Sequence, residues 1–211
     1  MDTTRQPPDN PGMVKSVSDM ESQIDTQLET PYRSISVREF DKMVDRGIIG
    51  PNERVELVDG RIVVREQMNA PHAFLVAQIT RLFMQRLGDG ATVWPQLPVL
   101  ASGRSKPLPD IALVRARGTH YRRHLPRSED VLAIVEVSDT RLAFDRGEKL
   151  RMYARAEIQE YWIVDVNART IEICREPHDL GYGSRPVAGR DASVAFTAFP
   201  DVVFSVEELL G

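Results

Sequence analysis

Pro109-Asp110-Ile111-Ala112-Leu113-Val114 opens the stretch that decides the fold. Val131-Leu132-Ala133-Ile134-Val135-Glu136-Val137 follows it, and Asp145-Arg146-Gly147-Glu148-Lys149 closes it. Apolar runs of this length read as buried strands. Each of the first two runs carries one acid near its edge, and a buried carboxylate needs a partner. The third segment reads as an acid-capped helix, with Asp145 as cap and Glu148 three residues on. That helix is expected to run to about Ala156. Lys149 shares a face with Met152, Tyr153 and Ala156, so its stem can be buried while its ammonium reaches an anion.

Between the two acid-bearing strands lie Arg115, Arg117, Arg122, Arg123 and Arg127, with His120, Tyr121 and His124 interleaved and no acid from Arg115 to Arg127. As the connection between those strands it is expected to hang near them. Two readings stay open for it: a patch that neutralises nucleic-acid phosphates, or a solvated loop whose arginines pair with acids elsewhere.

Upstream, Arg54 to Glu66 reads as a hairpin turning at Asp59-Gly60. That turn sets Glu56 opposite Val63, on the face it shares with Val58. Taken alone, Glu56 reads as a surface acid on an edge strand. Pro71 to Leu87 carries Leu75, Ile79, Leu82, Phe83 and Leu87 as one helical stripe, with Asn69 as candidate cap. His72 stands at the head of that stripe, where it could look into a site, though a hydrogen-bonded structural histidine is the favoured reading. Ser36-Val37-Arg38-Glu39 has the form of a capping box for a short helix ending near Gly47. Thr92 to Leu100 reads as a strand interrupted by Pro95 and Pro98.

Downstream, Glu160 to Val166 and Thr170 to Glu176 read as a second strand pair, Pro177 to Arg190 as loop, and Ser193 to Thr197 as a small strand. Ser205-Val206-Glu207-Glu208 caps a last helix. The alternation predicts an α/β (α+β) domain, a mixed sheet flanked by helices. Residues 1 to 31 lack a sustained apolar pattern and read as a disordered leader, with one short helix allowed around Met20 to Leu28. Residues 32 to 211 then make a single domain.

The chain has 211 residues, 42% hydrophobic and 27% charged, the profile of an ordinary globular chain. No run approaches the roughly 18 apolar residues of a membrane span. Met1 to Asn10 has no apolar signal core, so a cytoplasmic location is the default. Cys174 is the single cysteine, which excludes an intrachain disulfide, and it reads as a packed strand residue. The net charge of −4 argues against a general nucleic-acid coat, though not against a local basic patch.

If Asp110 and Glu136 lie on adjacent strands with Glu56 on a nearby hairpin, three oxygen donors converge. Such donors favour Mg²⁺ or Mn²⁺ over zinc. Lys149 would then stabilise charge developing on a phosphoryl group or orient the attacking water. That is a recipe for phosphodiester hydrolysis.

The order Pro109-Asp110, then Glu136-Val137-Ser138, resembles the PD-(D/E)xK nucleases. More specifically, the chain is similar to the Uma2 family, also called DUF820. The resemblance is carried by Val55-Glu56-Leu57-Val58-Asp59-Gly60, the runs around Asp110 and Glu136, Asp145 to Lys149, and Glu160-Tyr161-Trp162-Ile163-Val164-Asp165. It implies a restriction-endonuclease-like core, Asp110 and Glu136 as metal ligands, and Glu56 as an additional acidic member. The superfamily lysine falls at Ser138, and the resemblance implies that Lys149 takes its part. The expected activity is Mg²⁺-dependent (or Mn²⁺-dependent) cleavage of DNA by a homodimer, since one site cuts one strand. The alternative, motivated by Ser138 and the negative charge, is a non-catalytic nucleic-acid-binding module on the same fold.

Overall fold

Ser36 starts the ordered architecture as the reading expects. Its hydroxyl caps Glu39 N and the Glu39 carboxylate returns to Ser36 N, opening α1 (Val37–Asp45). The structure, a computed structural model, describes residues 32–211. The expected leader and its short helix lie outside the described residues. β1 (Val55–Val58) and β2 (Arg61–Val64) pair antiparallel with Val58 opposite Arg61, a two-residue turn. Asp59 and Gly60 both take positive φ, 46° and 79°, as that turn demands. Glu56 pairs with Val63, the expected register. It is not a surface acid, however, because Glu56 is 1% exposed. The hairpin packs onto the domain rather than standing at its edge.

α2 (Ala70–Leu87) is capped by the Asn69 side chain accepting from His72 N. It buries Leu75, Val76, Ile79, Phe83 and Leu87, which is the expected stripe with Val76 added and Leu82 at its margin. β3 (Ala91–Pro95) stops at the first of the two prolines. A proline has no N–H to extend a ladder.

Next come β4 (Ile111–Arg115), β5 (Val131–Ser138), β6 (Glu160–Asp165), β7 (Thr170–His178) and β8 (Gly181–Ser184). With β3 they form one mixed sheet in the order β3-β4-β5-β6-β7-β8, and β9 (Val187–Ala188) also pairs with β7. The segment after Pro177, expected as loop, thus adds two short strands. Its glycines and prolines mark turns between strands, not an absence of strands.

Every neighbouring pair on that path is antiparallel except β5–β6. A parallel pair cannot be closed by a tight turn and needs a crossover. Here the crossover is helical: α3 (Leu142–Phe144), a π-helical stretch (Asp145–Lys149) and α4 (Leu150–Arg155) run without a break. β10 (Ser193–Phe196) and β11 (Phe199–Ser205) form a separate hairpin, and α5 (Val206–Leu210) ends the chain with a second capping box.

Alternation along the strands sorts the core into two layers. Ile111, Leu113, Ala133, Val135, Val137, Trp162 and Val164 face α2 and α5. Trp162 stacks on Phe196 at 3.9 Å between ring centroids, and Phe83 meets Phe196 and Phe204 edge-on. Ala112, Val114, Ile134, Tyr161, Ile163 and Cys174 face the crossover helix with its Leu150, Met152 and Tyr153. Cys174 is buried packing, as expected. No helix among the described residues is long and apolar enough to cross a membrane.

Gly60 tests the hairpin's seating. A Cβ there would lie 1.9 Å from Ser34 Oγ on a backbone already at φ 79°. Gly60→Ala is expected to destabilise the protein by about 1–3 kcal/mol, read from its urea midpoint.

Candidate active site

Residue parity decides where the acids go. Successive strand residues point to opposite faces, so Asp110, Ala112 and Val114 share one face of the sheet. Ile111 pairs with Val135, which sets Asp110 beside Glu136 across the β4–β5 ladder. Glu136 projects to the face covered by the crossover helix, the layer that holds Ile134. The two acids therefore meet under the helix that carries Lys149.

The contacts are specific. Lys149 Nζ lies 2.8 Å from Glu136 Oε1 and 3.4 Å from Glu56 Oε1. Tyr153 Oη donates to the same Glu136 Oε1 at 2.8 Å. Glu136 Oε2 accepts from Asp110 N at 3.3 Å, and Asp110 Oδ2 accepts from Val137 N at 2.9 Å. Asp110 Oδ1 faces His72 Nε2 at 3.3 Å and the Arg65 guanidinium at 3.5 Å. Glu56 Oε2 accepts from Leu108 N at 3.0 Å.

Glu56, Arg65, His72, Asp110, Glu136 and Lys149 line a cleft of about 80 Å³, together with Ser138, Asp139 and Asp145. That is room for several water molecules, and so for a small ion or a phosphoryl group.

Lys149 is delivered by the widened helical turn. Asp145 and Lys149, the first and last residues of the π-helical stretch, are both buried. π-turns concentrate at functional sites. Asp145 was expected as a helix cap. Instead it lies inside the helical run, with no side-chain capping bond there, and lines the cleft. The run begins earlier than the cap pattern suggests, at Leu142.

The electrostatics follow from one ammonium among four buried carboxylates. Burial pushes the Glu136 carboxyl up to about 8; Lys149 opposes the rise, and Asp110, Asp145 and Glu56 add to it. Burial also works to raise Asp110. Its hydrogen bond with His72 and the charges of His72 and Lys149 outweigh that and hold it below its usual value. Burial disfavours the Lys149 ammonium, but the surrounding acids, Glu136 first, prevail and hold its proton more tightly. Burial raises Asp145 as well. His72 is raised, chiefly through its bond to Asp110 and against its own desolvation.

Three features were missed by sequence reasoning. His72 was assigned a structural role, yet it bonds to Asp110 in the cleft; its place at the head of the stripe was the available signal. Tyr153 was read as packing although it lies one turn beyond Lys149 on the same face. Arg65 carried no signal at all.

Glu56, expected as a third metal ligand, turns its two oxygens to Lys149 and Leu108 N in this structure, as Glu136 turns its own to Lys149, Tyr153 and Asp110 N. Among the described residues no three His, Cys, Asp or Glu side chains are grouped to hold a metal by themselves.

The arginine segment is also not where it was expected. Asp110 precedes β4 and Glu136 lies near the end of β5, while the connection leaves from Arg115 and returns at Val131. An antiparallel connection sits at the opposite end of its strands, about 16 Å away at 3.3 Å per residue. Arg115, Arg117, Arg122, Arg123 and Arg127 are all exposed. Arg117 pairs with Asp130 at 2.8 Å and Arg115 donates to Glu129 O at 3.2 Å.

A mixed sheet with an acid-bearing antiparallel pair, followed by a helical crossover carrying a lysine into the same cleft, defines the restriction-endonuclease-like class. Within that class the chain belongs to the Uma2 family: residues 37–207 match it, under the description "Putative restriction endonuclease". Among solved structures it is similar to a protein described as "a putative nuclease belonging to DUF820" from Anabaena variabilis ATCC 29413. The two share 17% identity at a TM-score of 0.63, over 83% of this chain and 97% of the other, a likeness of fold. No curated protein matches the chain.

The raised Glu136 value has a measurable consequence. A carboxyl raised from 4.5 to about 8 contributes stability that is fully present below 4.5 and is lost as pH climbs to about 8. In metal-free buffer the thermal midpoint of the wild type is expected to fall from pH 5 to pH 8. Glu136→Gln should flatten that fall; parallel curves for both proteins would refute the assignment. Lys149→Met leaves the acids without their ammonium and should destabilise by about 3–5 kcal/mol at pH 7.

Proposed function

We propose that this chain is a divalent-metal-dependent nuclease that hydrolyses DNA phosphodiester bonds, with Asp110, Glu136, Lys149 and Glu56 as its working set. The observation that carries the reading is the buried Lys149 ammonium, 2.8 Å from Glu136 and 3.4 Å from Glu56, in the cleft that holds Asp110.

The donor set fits Mg²⁺ or Mn²⁺. These ions take oxygen ligands, and Mg²⁺ typically binds through one or two carboxylates while keeping several waters. Asp110 and Glu136 would supply those carboxylates, so a preformed cage of three is not required. A bound ion would polarise a phosphoryl oxygen and make water more acidic. Glu56 is then a positioning residue that holds Lys149 from below. Lys149 offsets charge developing on the phosphoryl group, acting at short range in a site of low water content. Tyr153 fixes the Glu136 oxygen that Lys149 also contacts.

Arg122 and Arg123 have no acid partner among the described residues, and with Arg115, Arg117 and Arg127 they would contact duplex phosphates away from the cut. Two copies meeting on a duplex would cut both strands, since each cleft serves one.

Purified protein is expected to nick plasmid DNA with Mg²⁺ or Mn²⁺ and to stop when EDTA is added. Asp110→Ala should remove detectable cleavage, and Lys149→Met should slow it by about 100-fold or more. Equal activity in wild type and Asp110→Ala would sink the reading. DNA binding by the wild type with no cleavage under any metal would select the binding-module alternative. Replacing Arg122 and Arg123 by Ala should reduce the slope of log affinity against log salt by about 1 per arginine, while leaving the metal requirement intact.

A further inference from the structure

Arg54, Arg65, His72, Arg141 and Lys149 line the cleft, and four of them are held in two different ways. Lys149 is 4% exposed and sits at 2.8 Å from its carboxylate. Arg141 is committed too: it donates to Val64 O at 3.0 Å and lies over the Phe144 ring at 4.3 Å. Arg65 and His72 are held differently. Their side chains are 14% and 17% exposed, and both address the same atom, Asp110 Oδ1, at 3.5 and 3.3 Å. Charge-assisted contacts of a settled pair run about 2.7–2.9 Å. A guanidinium and an imidazole sharing one oxygen at these longer distances are loosely held, and both side chains are partly exposed and line the cleft. Arg65 follows β2 and His72 lies in the first turn of α2, so two separate elements bring them there.

We propose that Arg65 and His72 are the phosphate-holding residues of the cleft, which rest on Asp110 until a divalent ion takes that carboxylate and then turn to the phosphodiester. The inference rests on the nuclease reading above. A carboxylate oxygen already neutralised by a divalent ion repels further cations, so Arg65 and His72 lose their reason to stay. A phosphodiester brings the negative charge that replaces Asp110 for them. The planar guanidinium fork matches two phosphate oxygens at once, which a lysine ammonium does not. In the resting cleft the same two side chains offset one acid of a surplus, so they also compete with the metal for it.

The test uses binding, not turnover, on the full chain. Mn²⁺ affinity is measured by titration calorimetry for the wild type, Arg65→Gln, Arg65→Lys and His72→Gln. The affinity of a fluorescein-labelled DNA duplex is measured by anisotropy with Ca²⁺ and again in metal-free buffer. Thermal midpoints confirm that each variant is folded, and Arg65→Lys retains the charge if Arg65→Gln fails to fold. Arg65→Gln and His72→Gln should bind Mn²⁺ as tightly as the wild type or about threefold more tightly, because a competing cation is gone. With Ca²⁺ each should bind DNA about tenfold more weakly, with Arg65→Lys between, the scale of one lost charge-assisted contact. Without metal the DNA difference should vanish. Weaker Mn²⁺ binding with unchanged DNA affinity would overturn the inference, making both residues supports for Asp110 alone. So would a DNA defect that persists without metal. A wild type that binds no Mn²⁺ would take down the nuclease reading and this inference together; a wild type that binds Mn²⁺, with variants like it in both assays, would take down this inference alone.

Discussion

A single buried ammonium holds the centre of this molecule together. Glu56, Glu136 and Lys149 are each less than 5% exposed, and they come from a hairpin, a central strand and a crossover helix. Burying any of these charges alone is costly, and the three become tolerable only in contact. Closing the Lys149 contacts at 2.8 and 3.4 Å therefore fixes the hairpin against the sheet and the helix against both. One pairing sets the tertiary arrangement and the chemistry of the cleft at once.

The two acids of the sheet are pulled in opposite directions by their surroundings. Asp110, beside His72 and Lys149, sits below its usual range, while Glu136, more deeply enclosed among other acids, is pushed up to about 8. Neighbouring carboxyls pushed apart in this way differ in how readily each gives up its proton. The split follows from which side chains stand at the cleft mouth and which stand beneath it. Asp110 faces the partly exposed Arg65 and His72, whereas Glu136 faces the buried Lys149.

The sheet was legible because its signals are local. Apolar runs with a two-residue period give strands, Asp59-Gly60 gives a turn, and the turn gives the register that pairs Glu56 with Val63. Parity then carries Asp110 and Glu136 to a common face. The layout at longer range was less legible. The Arg115–Arg127 connection was judged near the acids because it joins their strands, but strand direction sends it to the far end. Asp145 looked like a cap because an acid three residues before Glu148 fits that pattern. The helix had already begun at Leu142, in residues with no capping signal of their own. Arg65 enters the cleft through the packing of the β1–β2 hairpin, which no window of sequence encodes. The lysine was readable from its place on the packed face with Met152 and Tyr153, and the family likeness added that it takes the part of the motif position where Ser138 stands.

The helical crossover has one more effect, on timing. It is the element that permits β5 and β6 to run side by side, and it is also the carrier of Lys149. The parallel pair joins segments distant along the chain, a contact that forms slowly because a long loop must close first. A chain still being synthesised can display the β4–β5 hairpin with its two acids well before the crossover has docked. At that stage the acids have no counter-charge and no roof. The cleft is thus completed only once the crossover helix has brought Lys149 over the sheet.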